Sequence, residues 1–182
     1  MKAHREAMRL LQEAELVCDA ACVQREVTRM ASEISAMLQD EFPVVLSVMG
    51  GAAVFTGQLL PQLAFPLEFG AIQVRRYNND IQGRDIAWTL APSDNVRDRT
   101  VLVVDDILDE GITLAAIKKR LLEMGARKFL SAVFADKDIG REKPVHADFV
   151  GVTVPNRYVF GFGMDAYGLW RNLPAIYALK DK

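Results

Sequence analysis

Residues 101–113, VLVVDDILDEGIT, constrain the fold more than any other segment of this 182-residue chain. The four apolar residues 101–104 have the composition of a strand that is buried on both faces. Asp105 and Asp106 follow that strand directly, and a loop with glycine and threonine leads into a helical pattern. Because open α/β sheets bind ligands at the carboxyl ends of their strands, the segment predicts an α/β fold with a polar site at that edge.

Apolar strands and helices alternate along most of the chain, which predicts a parallel sheet covered on both faces. Residues 1–40 show apolar positions at helical spacing and are interpreted as helix. We therefore expect one domain over residues 1–182, with a helical lead (1–42) and a core that carries the site (43–182). The predicted strands are 44–49, 67–75 with 86–90 as its partner, 101–104, 129–135, 149–152 and 158–162, and the predicted later helices are 52–60 and 113–124.

Charge and patterning argue against several classes of protein. The formal net charge of −2 gives no reason to expect binding to nucleic acid, which favours a basic face. Residues 42–67 carry no charge, but prolines and glycines break the segment, so we expect no membrane span. The charged N-terminus lacks a signal-peptide pattern, and we expect a cytoplasmic protein. Cys18 and Cys22, four apart in a predicted helix, are interpreted as buried thiols rather than a disulfide or metal site.

The acid pair and the loop after it have three interpretations. Carboxylates accept hydrogen bonds from ribose hydroxyls, while amides at a helix start and the Thr113 hydroxyl can cradle a phosphate, so the segment suits a sugar phosphate. Acid pairs after strands also occur in Mg²⁺ sites of other α/β enzymes. The plainest alternative is that Asp105 and Asp106 only cap a turn.

The whole segment resembles the motif of type I phosphoribosyltransferases that binds 5-phosphoribosyl diphosphate (PRPP). That motif is an apolar strand, two acids, two apolar residues, an Asp and a glycine–threonine loop. The resemblance runs from about residue 44 to the C-terminus, and no motif covers the helical lead. The later positions, which are similar to hypoxanthine–guanine phosphoribosyltransferases, are Asp136-Lys137, Asp148-Phe149-Val150-Gly151, Val154-Pro155, Tyr158-Val159-Phe160-Gly161, Asp165 and Arg171.

For the sugar and its phosphate, the resemblance implies that Asp105 and Asp106 face the ribose hydroxyls and their Mg²⁺. Asp109 is implied to be the general base at N7 of the purine. The 5′-phosphate is implied to be wrapped by the loop residues Glu110, Gly111, Ile112 and Thr113.

For the base, the resemblance implies that Lys137 donates to the purine O6, that Tyr158 stacks on the ring, and that the backbone of Val159 meets its edge. Lysine has only donors, which favours a 6-carbonyl over the amino group of adenine. On the leaving side, Asp165 is implied to help bind Mg²⁺ and Arg171 to contact the pyrophosphate. Gly50 and Gly51 are implied to form the loop that meets the leaving group.

Two positions depart from the family pattern. The family often has a basic residue before the glycine pair, where this chain has Met49, and its mobile loop often begins with Ser-Tyr, where this chain has Arg76-Tyr77. A guanidinium can grip a phosphate bidentately when a loop closes. One hypothesis is that Arg76, aided by Arg75, replaces the charge absent at Met49; the alternative is that Arg76 is a solvated residue at a strand end.

The resemblance implies a purine-salvage enzyme that binds PRPP and a 6-oxopurine and assembles as a dimer or tetramer. Fold does not fix function, so three alternatives stay open. The first is a regulatory or RNA-binding protein on the same fold. The others are an orotate or adenine phosphoribosyltransferase, against which Lys137 and Tyr158 speak, and an α/β binding domain without catalysis.

Overall fold

The computed structural model describes residues 2–76 and 86–180, which form four α-helices and nine strands. The helices are α1 (Lys2–Glu13), α2 (Ala20–Leu38), α3 (Ala53–Leu59) and α4 (Ile112–Glu123). The strands are β1 (Glu15–Cys18), β2 (Val44–Val48), β3 (Glu68–Arg76), β4 (Ile86–Leu90), β5 (Thr100–Leu108), β6 (Lys128–Lys137), β7 (Phe149–Val154), β8 (Val159–Phe160) and β9 (Ile176–Ala178).

Six of the described strands form the main sheet in the order β4-β3-β2-β5-β6-β7. All neighbours run parallel except β4, which pairs antiparallel with β3 at one edge. The sheet is apolar on both faces because alternate residues of β5 enter two cores: Leu102 packs on the side of α2 and α3, and Val103 on the side of α4. The predicted α/β class, and β4 as the partner of β3, are confirmed.

A second sheet corrects the prediction for the N-terminal region. Residues 15–18 are not helix: β1 pairs with β9, and β9 pairs with β8, all antiparallel. Asp19 then caps α2 by accepting a 2.7 Å hydrogen bond from the amide of Cys22. The spacing of residues 15–18 fits a helix, but the segment pairs instead with a strand that lies about 160 residues later in the chain.

The same correction separates the two cysteines, which lie on β1 and α2 rather than on one helix face. Cys18 is buried, Cys22 is half-buried, and both thiols are free. Burial, with the neighbouring Cys22, raises the pKa of Cys18 to about 12. The interpretation as thiols therefore holds, although only Cys18 is fully buried.

The strands that lead to the site are longer than their apolar patterns indicate. β5 continues past the acid pair to Leu108, and β6 continues to Lys137. The ladder between them holds to the end, with Leu108 opposite Asp136. Backbone pairing thus keeps polar residues in strand conformation and places their side chains at fixed positions on the carboxyl edge. No helix among the described residues is long and apolar enough to cross a membrane.

Candidate active site

The acid pair lies in the second half of β5, and both carboxyls are largely buried. Asp105 Oδ1 accepts a 2.9 Å hydrogen bond from the amide of Asp106, and Asp106 Oδ1 accepts one of 2.9 Å from the amide of Ile107. Burial raises the pKa of both carboxyls, and the adjacent charge of Asp106 raises that of Asp105 further. Arg171 partly offsets the shift at Asp106. Two carboxylates packed this closely favour a cation or hydroxyl donors between them.

The predicted phosphate loop joins β5 to α4. Gly111 caps α4 with φ of +79°, a left-handed conformation that glycine adopts without a steric penalty. A cavity of about 260 Å³ is lined by Asp105, Asp106, Ile107, Leu108, Asp109, Gly111, Thr113 and Leu114. The start of α4 opens onto that cavity, and amide groups at a helix N-terminus favour an anion there.

Asp109 and Lys137 face each other beside this loop. Leu108 stands opposite Asp136 in the parallel ladder. The residues that follow these two, Asp109 just past β5 and Lys137 at the end of β6, are therefore brought side by side. Lys137 Nζ lies 2.7 Å from Asp109 Oδ2, with the lysine side chain 13% exposed and the aspartate 42% exposed. The structure therefore brings together the predicted base and the predicted O6 donor as an ion pair.

A cavity of about 250 Å³ extends from this pair towards the C-terminal segment. Its lining includes Asp106, Ile107, Asp109, Lys137, Tyr158, Val159, Met164 and Asp165. Tyr158 is half exposed, and its ring stacks on that of Tyr167 with centroids 5.7 Å apart. The predicted purine-binding residues thus share one cavity with the predicted base.

The glycine pair after β2 lies directly over the acid pair. A Cβ at Gly51 would stand 1.9 Å from Asp106 Oδ2, so no larger residue fits there without a shift. Gly163 approaches from the other side, where a Cβ would stand 2.2 Å from the carbonyl oxygen of Gly51. The Met49–Gly50 peptide bond before Gly51 is cis. This loop therefore reaches the carboxylates through backbone atoms.

Arg171 joins the C-terminal segment to the same edge. Its guanidinium lies 2.5 Å from Asp165 Oδ1, donates at 2.6 Å to the carbonyl of Gly163, and stands 4.0 Å from Asp106 Oδ2. The second oxygen of Asp165 accepts from the amide of Gly168 at 2.7 Å. Within the part of the chain that the structure describes, no three His, Cys, Asp or Glu side chains group as a closed metal site.

Residues 19–167 match the model of the phosphoribosyl transferase domain. The chain belongs to the phosphoribosyl transferase family. The family resemblance and the α/β fold predicted from the sequence are confirmed by this match.

Two relatives and two solved structures place the chain within the phosphoribosyl transferase family more closely. It is 31% identical over 159 residues to the hypoxanthine-guanine phosphoribosyltransferase of Bacillus subtilis, covering 87% of this chain and 88% of that protein. It is 32% identical over 160 residues to the hypoxanthine-guanine-xanthine phosphoribosyltransferase of Tritrichomonas foetus, covering 87% of each. A solved hypoxanthine-guanine-xanthine phosphoribosyltransferase shares the fold with a TM-score of 0.78 at 30% identity, over 93% of this chain and 97% of that one. The Staphylococcus aureus hypoxanthine phosphoribosyltransferase gives a TM-score of 0.85 at 24% identity over 93% of each chain, a likeness of fold.

Some parts of this phosphoribosyl transferase site were not predicted, and some predicted parts lie outside the described residues. Met164 and Ile107 line the base cavity, and Gly163 packs on the glycine loop. The sequence signal for Gly163 was its position, a glycine two residues before the predicted site residue Asp165. Met164 and Ile107 are ordinary apolar residues and gave no such signal. Tyr77 and the side chain of Arg76 lie outside the described residues, so the hypothesis that Arg76 replaces a charge absent at Met49 stays a prediction.

Proposed function

We propose that this chain transfers the 5-phosphoribosyl group of PRPP to a 6-oxopurine, hypoxanthine and/or guanine, and releases pyrophosphate. The observation that carries the proposal is the pair of Asp109 and Lys137, 2.7 Å apart on a cavity that Tyr158 also lines. A carboxylate accepts an N–H and an ammonium donates to a carbonyl, and a 6-oxopurine presents both groups on one side of its ring. The names of the Bacillus subtilis and Tritrichomonas foetus relatives support the same activity.

In this reaction, Lys137 exchanges its bond to Asp109 for one to the purine O6, which frees the carboxylate. Asp109 accepts the N7 proton while N9 bonds to C1′ of the ribose and the C1′–oxygen bond to pyrophosphate breaks. General-base catalysis of this kind contributes about 10²–10⁴-fold. Tyr158 stacks on the purine face, and the backbone of Val159 meets the edge of the ring.

Asp105 and Asp106 accept hydrogen bonds from the ribose hydroxyls, and the same two carboxylates would hold Mg²⁺. The pair fits this ion because Mg²⁺ is bound through one or two carboxylates while it keeps water and phosphate ligands. When bound, Mg²⁺ would neutralise negative charge on the pyrophosphate oxygens. Burial raises the pKa of both carboxyls, so a cation also relieves the cost of ionising them.

The two phosphate-bearing ends of PRPP lie on opposite sides of the acid pair in this proposal. Glu110, Gly111, Ile112 and Thr113 wrap the 5′-phosphate with loop and α4 amides. Backbone atoms of Gly50 and Gly51 and the guanidinium of Arg171 meet the leaving pyrophosphate. Asp165 would help to hold Mg²⁺ on this side. Asp165 already pairs with Arg171, so a pyrophosphate that binds Arg171 also affects the position of Asp165.

The proposal also treats the chain as one catalytic domain. One apolar core includes Val27 and Ile34 of α2, strands of the main sheet, and Ile176 of the small sheet, so neither sheet buries its face alone. Each large aliphatic side chain buried there contributes about 1.5–3 kcal/mol. A dimer or tetramer in the cytoplasm remains the expected assembly, and light scattering measures it directly.

The test is a panel of bases with PRPP and Mg²⁺, followed by pyrophosphate release and nucleoside monophosphate formation. Hypoxanthine or guanine is expected to support turnover, while adenine and orotate are not. Turnover with adenine or orotate alone would show that the substrate is that base and not a 6-oxopurine. Absence of turnover with every base would indicate a binding or regulatory protein. Retention on RNA at moderate salt, measured in parallel, separates that last outcome.

A further inference from the structure

The segment that follows β6 has no role in the reaction described so far, yet it places a lysine against the site. Lys143 lies in this segment, and its side chain is only 7% exposed. Its Nζ stands 2.8 Å from the carbonyl oxygen of Leu108 and 2.5 Å from Asp136 Oδ1. A buried ammonium is costly unless it is paired and hydrogen-bonded, and here it has both kinds of partner.

The two partners of Lys143 have one feature in common. Leu108 immediately precedes Asp109, and Asp136 immediately precedes Lys137. Leu108 and Asp136 are also opposite each other where β5 and β6 end. One side chain therefore ties together the two strand ends that carry the reactive ion pair.

The same segment also backs the phosphate loop. A Cβ at Gly111 would lie 3.3 Å from Pro144 Cδ, 3.4 Å from Val145 Cγ1 and 3.5 Å from Lys143 Cβ, so the loop packs directly on the segment. Arg141 adds an ion pair of 2.9 Å with Glu110. A movement of this segment would therefore displace both Asp109, the proposed general base, and the loop that holds the 5′-phosphate.

We propose that Lys143 is a positioning residue for phosphoribosyl transfer, fixing the separation of Asp109 and Lys137 by bridging the backbone of Leu108 and the carboxylate of Asp136. The proposal rests on the proposed function, because Asp109 and Lys137, the groups that Lys143 positions, act in that reaction. Lys143 itself makes no contact with substrate. Charge-assisted hydrogen bonds are short and directional, which suits this task better than apolar packing. Placement matters because a misplacement of about 1 Å can cost about 10²-fold in rate.

The first experiment compares Lys143→Met with Lys119→Met. Lys119 is a matched control on α4, where it is exposed and pairs with Glu123 at 3.9 Å. Lys143→Met is expected to lower kcat with hypoxanthine by about 10–100-fold, in keeping with the cost of misplaced groups, while the KM for PRPP changes less. Lys143→Arg, which keeps the charge and donors, is expected to recover part of the loss. Normal kcat in Lys143→Met overturns the proposal.

A double variant separates positioning from the burial of an unpaired charge. Asp136→Asn with Lys143→Met removes both charges of this pair, so neither charge is left buried without the other. Under the proposal kcat stays low, because the bond to the carbonyl of Leu108 is still absent. Recovery of wild-type kcat in the double variant means that Lys143 only neutralised Asp136, and it overturns the proposal.

Hydrogen exchange gives a readout that does not depend on turnover. The amides of residues 109–112 are expected to exchange faster in Lys143→Met than in the wild type and in Lys119→Met. Unchanged exchange overturns the bridge even if activity falls. If the wild type fails to transfer the phosphoribosyl group, the proposed function fails, and the exchange result still decides whether Lys143 holds this loop.

Discussion

The two sides of the candidate active site balance charge in different ways. On the sugar side, Asp105 and Asp106 are adjacent acids whose pKa values burial raises, and the guanidinium of Arg171 stands 4.0 Å from Asp106 Oδ2. On the base side, Asp109 already has Lys137 at 2.7 Å. The sugar side thus needs charge brought by its ligands, whereas the base side carries its own pair and must exchange partners.

Because of this difference, the two sides contribute differently to the stability of the folded state when no substrate is bound. Buried like charges disfavour the folded state when both are ionised. An ion pair that is partly exposed contributes little to stability, because water already screens it. Substitutions on the base side should therefore affect catalysis with little effect on folding, and substitutions on the sugar side should affect both.

The largest effect is expected for Asp109→Asn, which keeps the shape of the side chain but removes the proton acceptor. With the assigned role, kcat falls by about 10²–10³-fold, within the usual contribution of general acid–base catalysis, and PRPP binding changes little. Steady-state kinetics with hypoxanthine, and calorimetric titration with PRPP, measure the two quantities. Asp40→Asn, an exposed change beyond α2, is the control, and near-normal kcat in Asp109→Asn would make Asp109 a loop residue only.

The glycine loop is the next most sensitive point, because Gly51 packs directly against Asp106 on the sugar side. Gly51→Ala places a methyl group where Asp106 Oδ2 now lies, so the loop or the carboxylate must move. A displacement of about 1 Å is enough to lower kcat/KM for PRPP by about 10²-fold. Gly57→Ala is the matched control, since a Cβ there meets nothing within 4 Å. Equal kinetics in the two variants would show that Gly51 does not approach the acid pair so closely.

Lys137→Ala tests the exchange of partners on the base side. Loss of a charged hydrogen bond to O6 is expected to weaken the use of 6-oxopurines by about 1.5–3 kcal/mol. Any residual use of adenine should not fall in parallel, because adenine has no carbonyl at that position. The measurement is kcat/KM for hypoxanthine, guanine and adenine. A uniform loss across the three bases would instead assign Lys137 to folding or to PRPP.

The outcome for individual residues shows where a sequence is informative. The strand, acid pair and glycine–threonine loop were predictable, because each depends on neighbours in the chain. The spatial pairing of Asp109 with Lys137 depends on the register of two parallel strands, which no local pattern states. Residues 15–18 were assigned to a helix because their partner in β9 is remote. Lys143 carried no signal, since a lysine in a polar segment looks exposed until the strand ends close around it.

The smallest expected effect sharpens the comparison through the pH dependence of stability. The folded protein holds its protons on Asp105 and Asp106 to a higher pH than the unfolded chain does, because burial raises both pKa values. Between the ordinary aspartate pKa of about 3.9 and the raised values, the unfolded chain therefore binds fewer protons, and stability falls as pH rises. Below the ordinary value, both states are protonated and this loss is absent.

Asp105→Asn cannot ionise, so it removes that loss while it also removes a ribose contact. Its melting temperature is expected to exceed that of the wild type at pH 8, with a gap that narrows as the pH falls towards 4, where the carboxyls of the unfolded wild-type chain also become protonated. Thermal unfolding of the two proteins in the absence of Mg²⁺ and PRPP gives the comparison. A gap for Asp105→Asn that stays constant with pH would mean that the acid pair is not strained by its charge, and the two sides of the site would then differ in position alone.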